Sequence, residues 1–209
     1  MLYEMAAARQ GRGGPPSLNQ VATLTLPRPC KVVLRDGRVV TRRPVRQTDV
    51  AELVQAFDRL SADARYRRFM YHKDYLNPAV VERGVRPRPG RDFVFVATVP
   101  ADDGFDIVGA AQYVPAETDD VERCEFAITV AEGWRGSGLA ANLLASLARR
   151  ACFDGYRTIE GLVLAENKPM RALARKLGFA QKSEPGDASV VRVVLALNSA
   201  GRRPARSEG

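Results

Sequence analysis

The alternation of apolar and polar residues predicts a strand that leads into an amphipathic helix in the second half of the chain. Every second residue of the strand is apolar, at Cys124, Phe126, Ile128 and Val130. The period then becomes four, and one helix face carries Leu139, Leu143, Leu147 and Ala151. We therefore expect Glu125 to point away from the apolar face of the strand.

The connection between this strand and this helix runs from Arg135 to Ala140, RGSGLA, and contains two glycines. Small residues let a ligand approach the main chain, and the first N–H groups of a helix have no intrahelical acceptor. Such donors at the positive end of a helix dipole favour a phosphate group, although a tight connection without a ligand is the alternative. A P-loop and a dinucleotide fold are excluded, because no lysine follows the glycines and Ala141 replaces the last glycine.

Turn and capping signals predict the remaining elements. Asp36-Gly37 indicates a hairpin between strands at residues 31–34 and 38–41. Three short helices are expected to begin at the N-caps Thr48, Ser61 and Asn77. Further strands are predicted at residues 93–99, 107–114, 156–165, 179–182 and 189–197, with a last helix between Asn167 and Gly178. This order predicts an α+β sandwich around one mixed sheet.

The composition is that of a globular protein with one domain. The chain has 209 residues, of which 45% are hydrophobic and 27% charged. Residues 1–28 are rich in Gly, Pro, Ala and Ser, and we expect a disordered tail there. The domain is predicted at residues 29–198, and residues 199–209 are expected to form a basic C-terminal tail.

The formal net charge of +8 lies partly at the two ends of the chain. Residues 1–28 contain three arginines and one glutamate, and residues 201–209 contain the same numbers. Half of the excess charge is therefore outside the predicted domain. Since aromatic residues are not interleaved among the basic ones, binding of nucleic acid is not expected.

Several other classes are disfavoured by what the sequence lacks. No apolar run approaches the roughly 20 residues of a membrane helix, and no signal-peptide pattern is present, which predicts a cytoplasmic protein. The spacing of Cys30, Cys124 and Cys152 indicates neither a disulfide framework nor a metal site. His72 is the only histidine, which argues against His-based zinc catalysis and a Ser-His-Asp triad.

Two clusters of residues carry a family resemblance. The first is RGSGLA at residues 135–140, and the second is LARKLGF at residues 173–179, which follows Asn167. On these motifs the chain resembles the GNAT superfamily of N-acetyltransferases over roughly residues 31–197. Four more segments are similar to the acetyltransferase domain of bacterial protein-lysine acetyltransferases, at residues 34–38, 60–69, 125–127 and 166–170. The resemblance implies a mostly antiparallel sheet with helices on both faces.

The resemblance also implies acetyl-CoA as the acyl donor, with no metal. Its pyrophosphate would lie on the main-chain amides of Arg135, Gly136, Ser137, Gly138, Leu139 and Ala140. Its pantetheine arm would pair with the end of the strand, at Ile128, Thr129 and Val130. Asn167 would approach the cofactor, although the residue types around it are equally well explained by an N-cap.

The reaction implied by the resemblance is attack of a neutral amine on a thioester. A lysine with a pKa of about 10.4 is mostly protonated at pH 7, which costs on the order of 4 to 5 kcal/mol in available nucleophile. Glu125 matches the position of the catalytic glutamate in protein-lysine acetyltransferases, and its alternative role is a solvated strand carboxylate. Many relatives have a tyrosine as general acid where this chain has Ala174, so no dedicated acid is expected.

Three functions remain open from the sequence. The first is transfer of an acetyl group to a lysine amine of a protein, for which an acyl-CoA synthetase is one candidate acceptor. The second is acetylation of a small-molecule amine, and the third is a non-catalytic module that binds acyl-CoA. The acceptor, the preferred acyl chain and the oligomeric state are not indicated by any motif.

Overall fold

The computed structural model describes residues 26–118 and 120–197. The tails predicted at residues 1–28 and 199–209 lie outside the described residues, except for residues 26–28. The strands are β1 (Cys30–Val33), β2 (Val39–Pro44), β3 (Phe93–Ala101), β4 (Gly104–Pro115), β5 (Arg123–Val130), β6 (Thr158–Leu164), β7 (Ala180–Glu184) and β8 (Asp187–Ala196). The helices are α1 (Val50–Asp58), α2 (Ala62–Phe69), α3 (Pro78–Gly84), α4 (Leu139–Phe153) and α5 (Lys168–Lys176).

These strands form one sheet in the order β1-β2-β3-β4-β5-β6-β8-β7. All neighbours are antiparallel except β5 and β6, which are parallel because α4 carries the chain across the sheet between them. The prediction of a mixed, mostly antiparallel α+β sheet is therefore confirmed.

Strands β5 and β6 separate after only three paired positions. The pairing runs from Arg123 opposite Thr158 to Glu125 opposite Glu160, and β5 then continues to Val130 without β6 beside it. The Phe126 ring lies over Gly161, where a Cβ atom would come within 2.9 Å of the ring. A side chain at residue 161 would collide with this ring, so the glycine lets β5 and β6 pack closely there. Beyond Glu125 the two strands are no longer paired, and a gap opens between them.

The two faces of the sheet have separate cores. Helix α4 packs its leucines on one face, and Leu143, Leu144 and Leu147 are fully buried there with Tyr113. Helices α1 and α3 cover the other face, against buried residues of β3 and β4 such as Val96 and Ile107. The residues of β5 alternate accordingly, because even-numbered ones face α4 and odd-numbered ones face α1, α2 and α3.

The capping predictions are confirmed at three positions. The side chains of Ser61, Asn77 and Asn167 each accept a hydrogen bond from an N–H group in the first turn of the following helix. These residues lie next to their helices in the sequence, so local chemistry is enough to place them.

The prediction of Thr48 as a helix cap is wrong. A 3₁₀ turn at Gln47–Asp49 precedes α1, and the fully buried Asp49 makes the key contacts there. Its carboxylate accepts a hydrogen bond from the Arg46 N–H at 2.8 Å and forms an ion pair with Arg43 at 2.7 Å. Arg43 comes from β2, so a contact between two elements determines how this helix begins.

Candidate active site

The gap beside β5 exposes the main chain of one set of residues. In an antiparallel strand, every second residue directs its N–H and C=O groups to the same neighbouring strand. The Ala116 N–H donates to the Arg123 carbonyl, and the Ala131 N–H donates to the Val108 carbonyl. The odd-numbered residues of β5 therefore form hydrogen bonds with β4. The N–H and C=O groups of Ile128 and Val130, which lie beyond the last pair with β6, therefore point into the gap. An extended, amide-containing ligand could pair with this edge as an additional strand would.

The RGSGLA turn ends this gap and starts α4. Gly136 and Gly138 have φ angles of +77° and +92°, which L side chains rarely adopt. Within residues 26–118 and 120–197, the amides of Gly136, Gly138, Ala140 and Ala141 have no backbone acceptor. Helix α4 has 15 residues, so these donors lie at the positive end of a long helix dipole. The turn therefore has the donors of an anion site.

Ser137 and Leu139 hold the shape of this turn. The Ser137 side chain is buried, and its hydroxyl donates to the Trp134 carbonyl at 2.7 Å and accepts from the Leu139 N–H at 3.3 Å. Its carbonyl accepts the Arg35 N–H at 2.9 Å. Ser137 can thus reach a ligand only through its main-chain N–H group.

The β1–β2 hairpin packs against the turn and brings a cation to it. The side chain of Arg35 lies beside Gly138, and its Nε is 2.9 Å from the place that a Cβ atom there would occupy. Arg38 fastens the hairpin, because it donates to the Gly133 carbonyl at 2.9 Å and stacks 3.9 Å from the centre of the Trp134 ring. Sequence reasoning did not assign Arg35 to the site, although the hairpin motif that contains it was a signal.

A cleft of about 610 Å³ joins the gap and the turn. Of the residues predicted from the sequence, it is lined by Glu125, Ile128, Thr129, Val130, Arg135, Gly136, Gly138, Leu139, Ala140 and Asn167. Ser137 is not among the lining residues. Among the described residues, four arginines and one acidic residue, Glu125, line the cleft, so its field favours an anionic ligand.

Glu125 lies at the narrow end of the gap, where β5 and β6 separate. Burial raises the pKa of Glu125 to about 6, an effect that Arg192 opposes and Glu160 and Glu117 reinforce. A carboxylate with this pKa is mostly ionised at pH 7 and is still basic enough to accept a proton. The Glu125 carboxylate is therefore partly buried, unlike a fully solvated carboxylate on a strand.

Arg68 of α2 lines the same cleft as Glu125. From the sequence, the basic and aromatic residues 65–69 fit an exposed helix face or an acceptor-binding role equally well. Burial lowers the pKa of the Arg68 guanidinium to about 10, while the negative charge of Glu125 raises it. The group remains a cation at pH 7, and it lowers the pKa of Glu125 in turn. No sequence signal could have paired these residues, because 57 positions separate them in the chain.

Asn167 performs the capping role that its position predicts and also lines the cleft. Its Oδ1 accepts the Met170 N–H at 3.2 Å at the start of α5. Among the described residues its side-chain NH₂ group has no protein partner. The same amide can therefore cap the helix and donate to a ligand in the cleft.

Comparisons with known proteins give a consistent result. The family model of the acetyltransferase (GNAT) domain matches residues 39–180. Acetyltransferase PA5475 of Pseudomonas aeruginosa is 34% identical over 164 residues, which cover 78% of this chain and 87% of that protein.

Solved structures have the same fold. The GNAT domain of S. lividans PAT is 26% identical, with a TM-score of 0.73 over 81% of this chain and 97% of that domain. The structure of yncA from Salmonella typhimurium with its cofactor acetyl-CoA is 19% identical, with a TM-score of 0.61 over 79% of this chain and 98% of that one. No helix of the described residues is long and apolar enough to cross a membrane. The chain belongs to the GNAT family of acetyltransferases.

Proposed function

We propose that this protein transfers an acetyl group from acetyl-CoA to a lysine amine of a protein, with Glu125 as the general base. The observation that carries the proposal is the position of Glu125 at the point where β5 and β6 separate. Of the described residues that line the cleft, it alone is acidic. Glu125, the exposed edge of β5 and the RGSGLA turn line one cleft, and we assign them the roles of base, pantetheine site and anion site. We propose that the reaction takes place in the cytoplasm, in keeping with the spacing of the three cysteines, which indicates no disulfide framework.

Acetyl-CoA fits the two ends of the cleft. The free amides of the RGSGLA turn and the Arg35 guanidinium would bind the pyrophosphate, and the edge of β5 would pair with the amides of the pantetheine arm. The relative yncA was solved with acetyl-CoA as its cofactor. An N–H group of Ile128 or Val130 would then polarise the thioester carbonyl, a contribution worth roughly 3 kcal/mol in other enzymes.

The chemical step needs one proton acceptor. Glu125 removes a proton from the lysine ammonium, and the neutral amine attacks the carbonyl carbon of the thioester. The new C–N bond forms as the C–S bond breaks, and CoA leaves as a thiolate. The amide product loses its second proton to solvent.

No side chain is needed to protonate the leaving group. Ala174 occupies the position where many relatives have a tyrosine, and it is fully buried in the core. The described residues that line the cleft include no tyrosine, serine or histidine side chain. Thiols such as that of cysteine have a pKa of about 8.5, so the thiolate of CoA is a good leaving group and can take a proton from water.

A protein acceptor is supported by the resemblance of residues 34–38, 60–69, 125–127 and 166–170 to the acetyltransferase domain of protein-lysine acetyltransferases. The GNAT domain of S. lividans PAT shares the fold, with a TM-score of 0.73. The test is an assay of thiol release from acetyl-CoA with a panel of lysine-containing proteins, including acyl-CoA synthetases, and a panel of polyamines, amino acids and aminoglycosides. We expect acetylation of a protein lysine, located by mass spectrometry. Acetylation of small amines alone would contradict the protein acceptor, and CoA binding without release from any acceptor would contradict catalysis.

Replacement of Arg35 by glutamine is expected to weaken CoA binding by about five- to tenfold, because the variant loses a charged donor beside the phosphate site. The loss should be larger at low ionic strength, since salt screens an exposed charge. Titration calorimetry at two salt concentrations measures both effects. Arg83→Gln on α3 is the control, since this exposed arginine does not line the cleft. Equal affinities for wild type and Arg35→Gln would remove Arg35 from the site.

A further inference from the structure

A second cavity, of about 180 Å³, lies on the face of the sheet that α1, α2 and α3 cover. Its walls are mainly apolar side chains of the core, including Leu53, Phe57, Val81, Val94 and Ile107. Protein interiors are close-packed, and voids larger than a water molecule are few. A cavity of this size that is lined by apolar core residues is therefore a candidate binding site.

The cavity adjoins the catalytic cleft. Arg68, Phe69, Ala127 and Thr129 line both spaces. Ala127 and Thr129 are the next two residues after Glu125 on the same face of β5, and their small side chains leave room between the two spaces. A group that extends from the thioester past β5 would enter this cavity.

The charges around the cavity favour a neutral occupant. Arg68 and Lys73 contribute two positive charges to its lining, and none of its described lining residues is acidic. A protonated amine would be repelled by these cations and would lose its hydration without a counter-charge. The lysine acceptor is therefore disfavoured here, whereas a hydrocarbon chain suits the apolar walls.

We propose that this cavity binds the acyl chain of CoA thioesters longer than acetyl, so that the enzyme accepts chains of up to about six carbons. An engineered apolar cavity of roughly 150 Å³ binds benzene, a six-carbon molecule, and this cavity is slightly larger. The inference rests on the proposed binding of a CoA thioester in the cleft. It extends the donor from acetyl-CoA to a class of short- and medium-chain acyl-CoA thioesters.

The test compares CoA, acetyl-CoA, butyryl-CoA and hexanoyl-CoA by titration calorimetry with the full chain. Each buried methylene group is expected to strengthen binding about fourfold. Hexanoyl-CoA should therefore bind at least about tenfold more tightly than acetyl-CoA, even after losses from ordering the chain. Equal affinity for acetyl-CoA and hexanoyl-CoA would overturn the proposal.

Two variants fill the cavity from opposite walls. Ala56→Leu enlarges a residue of α1, and Ala110→Leu enlarges a residue of β4, and neither residue lines the catalytic cleft. We expect each to remove the preference for hexanoyl-CoA while the affinity for acetyl-CoA stays within about twofold. Ala51→Leu is the matched control, since it adds the same side chain at an exposed position of the same helix. Circular dichroism shows which variants are folded.

If both variants are folded and still prefer hexanoyl-CoA as wild type does, the acyl chain binds elsewhere. That result would overturn the assignment to this cavity. This result is distinct from failure of the proposed function. Turnover of acetyl-CoA with uniform binding of all chain lengths would reject the cavity alone. Chain-length-dependent binding that disappears in the variants, without turnover on any acceptor, would reject catalysis alone.

Discussion

Glu125→Gln is expected to lower acetyl transfer at pH 7 by about 10² to 10⁴-fold, the range that a positioned general base contributes. The amide keeps the shape of the carboxylate but cannot accept the proton of the lysine ammonium. CoA affinity should remain within about twofold, because the proposed pyrophosphate site lies at the other end of the cleft. Initial rates of thiol release and calorimetric titration with CoA measure the two quantities.

The pH profile identifies the base. Since the pKa of Glu125 is raised to about 6, wild-type kcat/KM should rise as pH increases through about 6 and then level off. The Glu125→Gln variant should lack this step and should instead follow deprotonation of the free amine towards pH 10. Glu122→Gln is the control, because Glu122 is exposed and pairs with Arg157 at 2.9 Å. Equal rates and identical profiles for Glu125→Gln and wild type would remove Glu125 from the mechanism.

Measurements of the free energy of unfolding distinguish a loss of the catalytic base in Glu125→Gln from misfolding of the variant. Burial disfavours the charged form of Glu125, so its raised pKa lowers the free energy of unfolding at neutral pH. Above about pH 6, the free energy of unfolding of Glu125→Gln should therefore equal that of wild type or exceed it by up to about 1 kcal/mol, since the group is half-buried. The difference should shrink as pH falls from about 6 and disappear below about 4.5, where the carboxyl group is protonated in both folded and unfolded chains.

Gly138→Val is expected to weaken CoA binding by about ten- to a hundredfold. A β-branched residue at a φ of +92° is strained by about 1–3 kcal/mol, and its Cβ atom would come within 2.9 Å of the Arg35 Nε. Relief of the strain or of the close contact would move the turn or displace Arg35, and both belong to the proposed anion site. Calorimetric titration with CoA measures the loss.

The matched control for this variant is Gly186→Val. Gly186 has a φ of +81° in the turn between β7 and β8, and a Cβ atom there would meet nothing within 4 Å. Both variants should lower thermal stability by a comparable amount, because both place valine in a left-handed conformation. Only the Gly138 variant should lose CoA affinity. A similar loss in both, or in neither, would contradict the assignment of the turn as the phosphate site.

Local chemistry was sufficient for much of the site. The glycines of the RGSGLA turn, the start of α4 and the cap at Asn167 depend on residues within a few positions of one another, and each was predicted from the chain. The alternation along β5 also predicted the face on which Glu125 lies. These features follow from backbone conformation and from periods of two and four residues, which a single sequence displays directly.

Contacts between distant elements needed the tertiary structure. The start of α1 depends on the buried pair of Arg43 and Asp49, and so the cap predicted at Thr48 was wrong. The place of Arg35 beside Gly138 depends on how the first hairpin packs against α4. Arg68 shares the cleft with Glu125 because α2 packs against β5.

The sequence by itself determined a strand, a glycine-rich turn and a helix able to bind an anion, with one carboxylate on the outer face of the strand. Only the tertiary structure decided that β5 and β6 separate at this carboxylate, that burial raises its pKa, and that an apolar cavity adjoins it. The physical reason is the distance along the chain between the residues that interact. Turns and helix starts depend on neighbouring residues, whereas strand separation, burial and cavities depend on how elements far apart in the chain pack together.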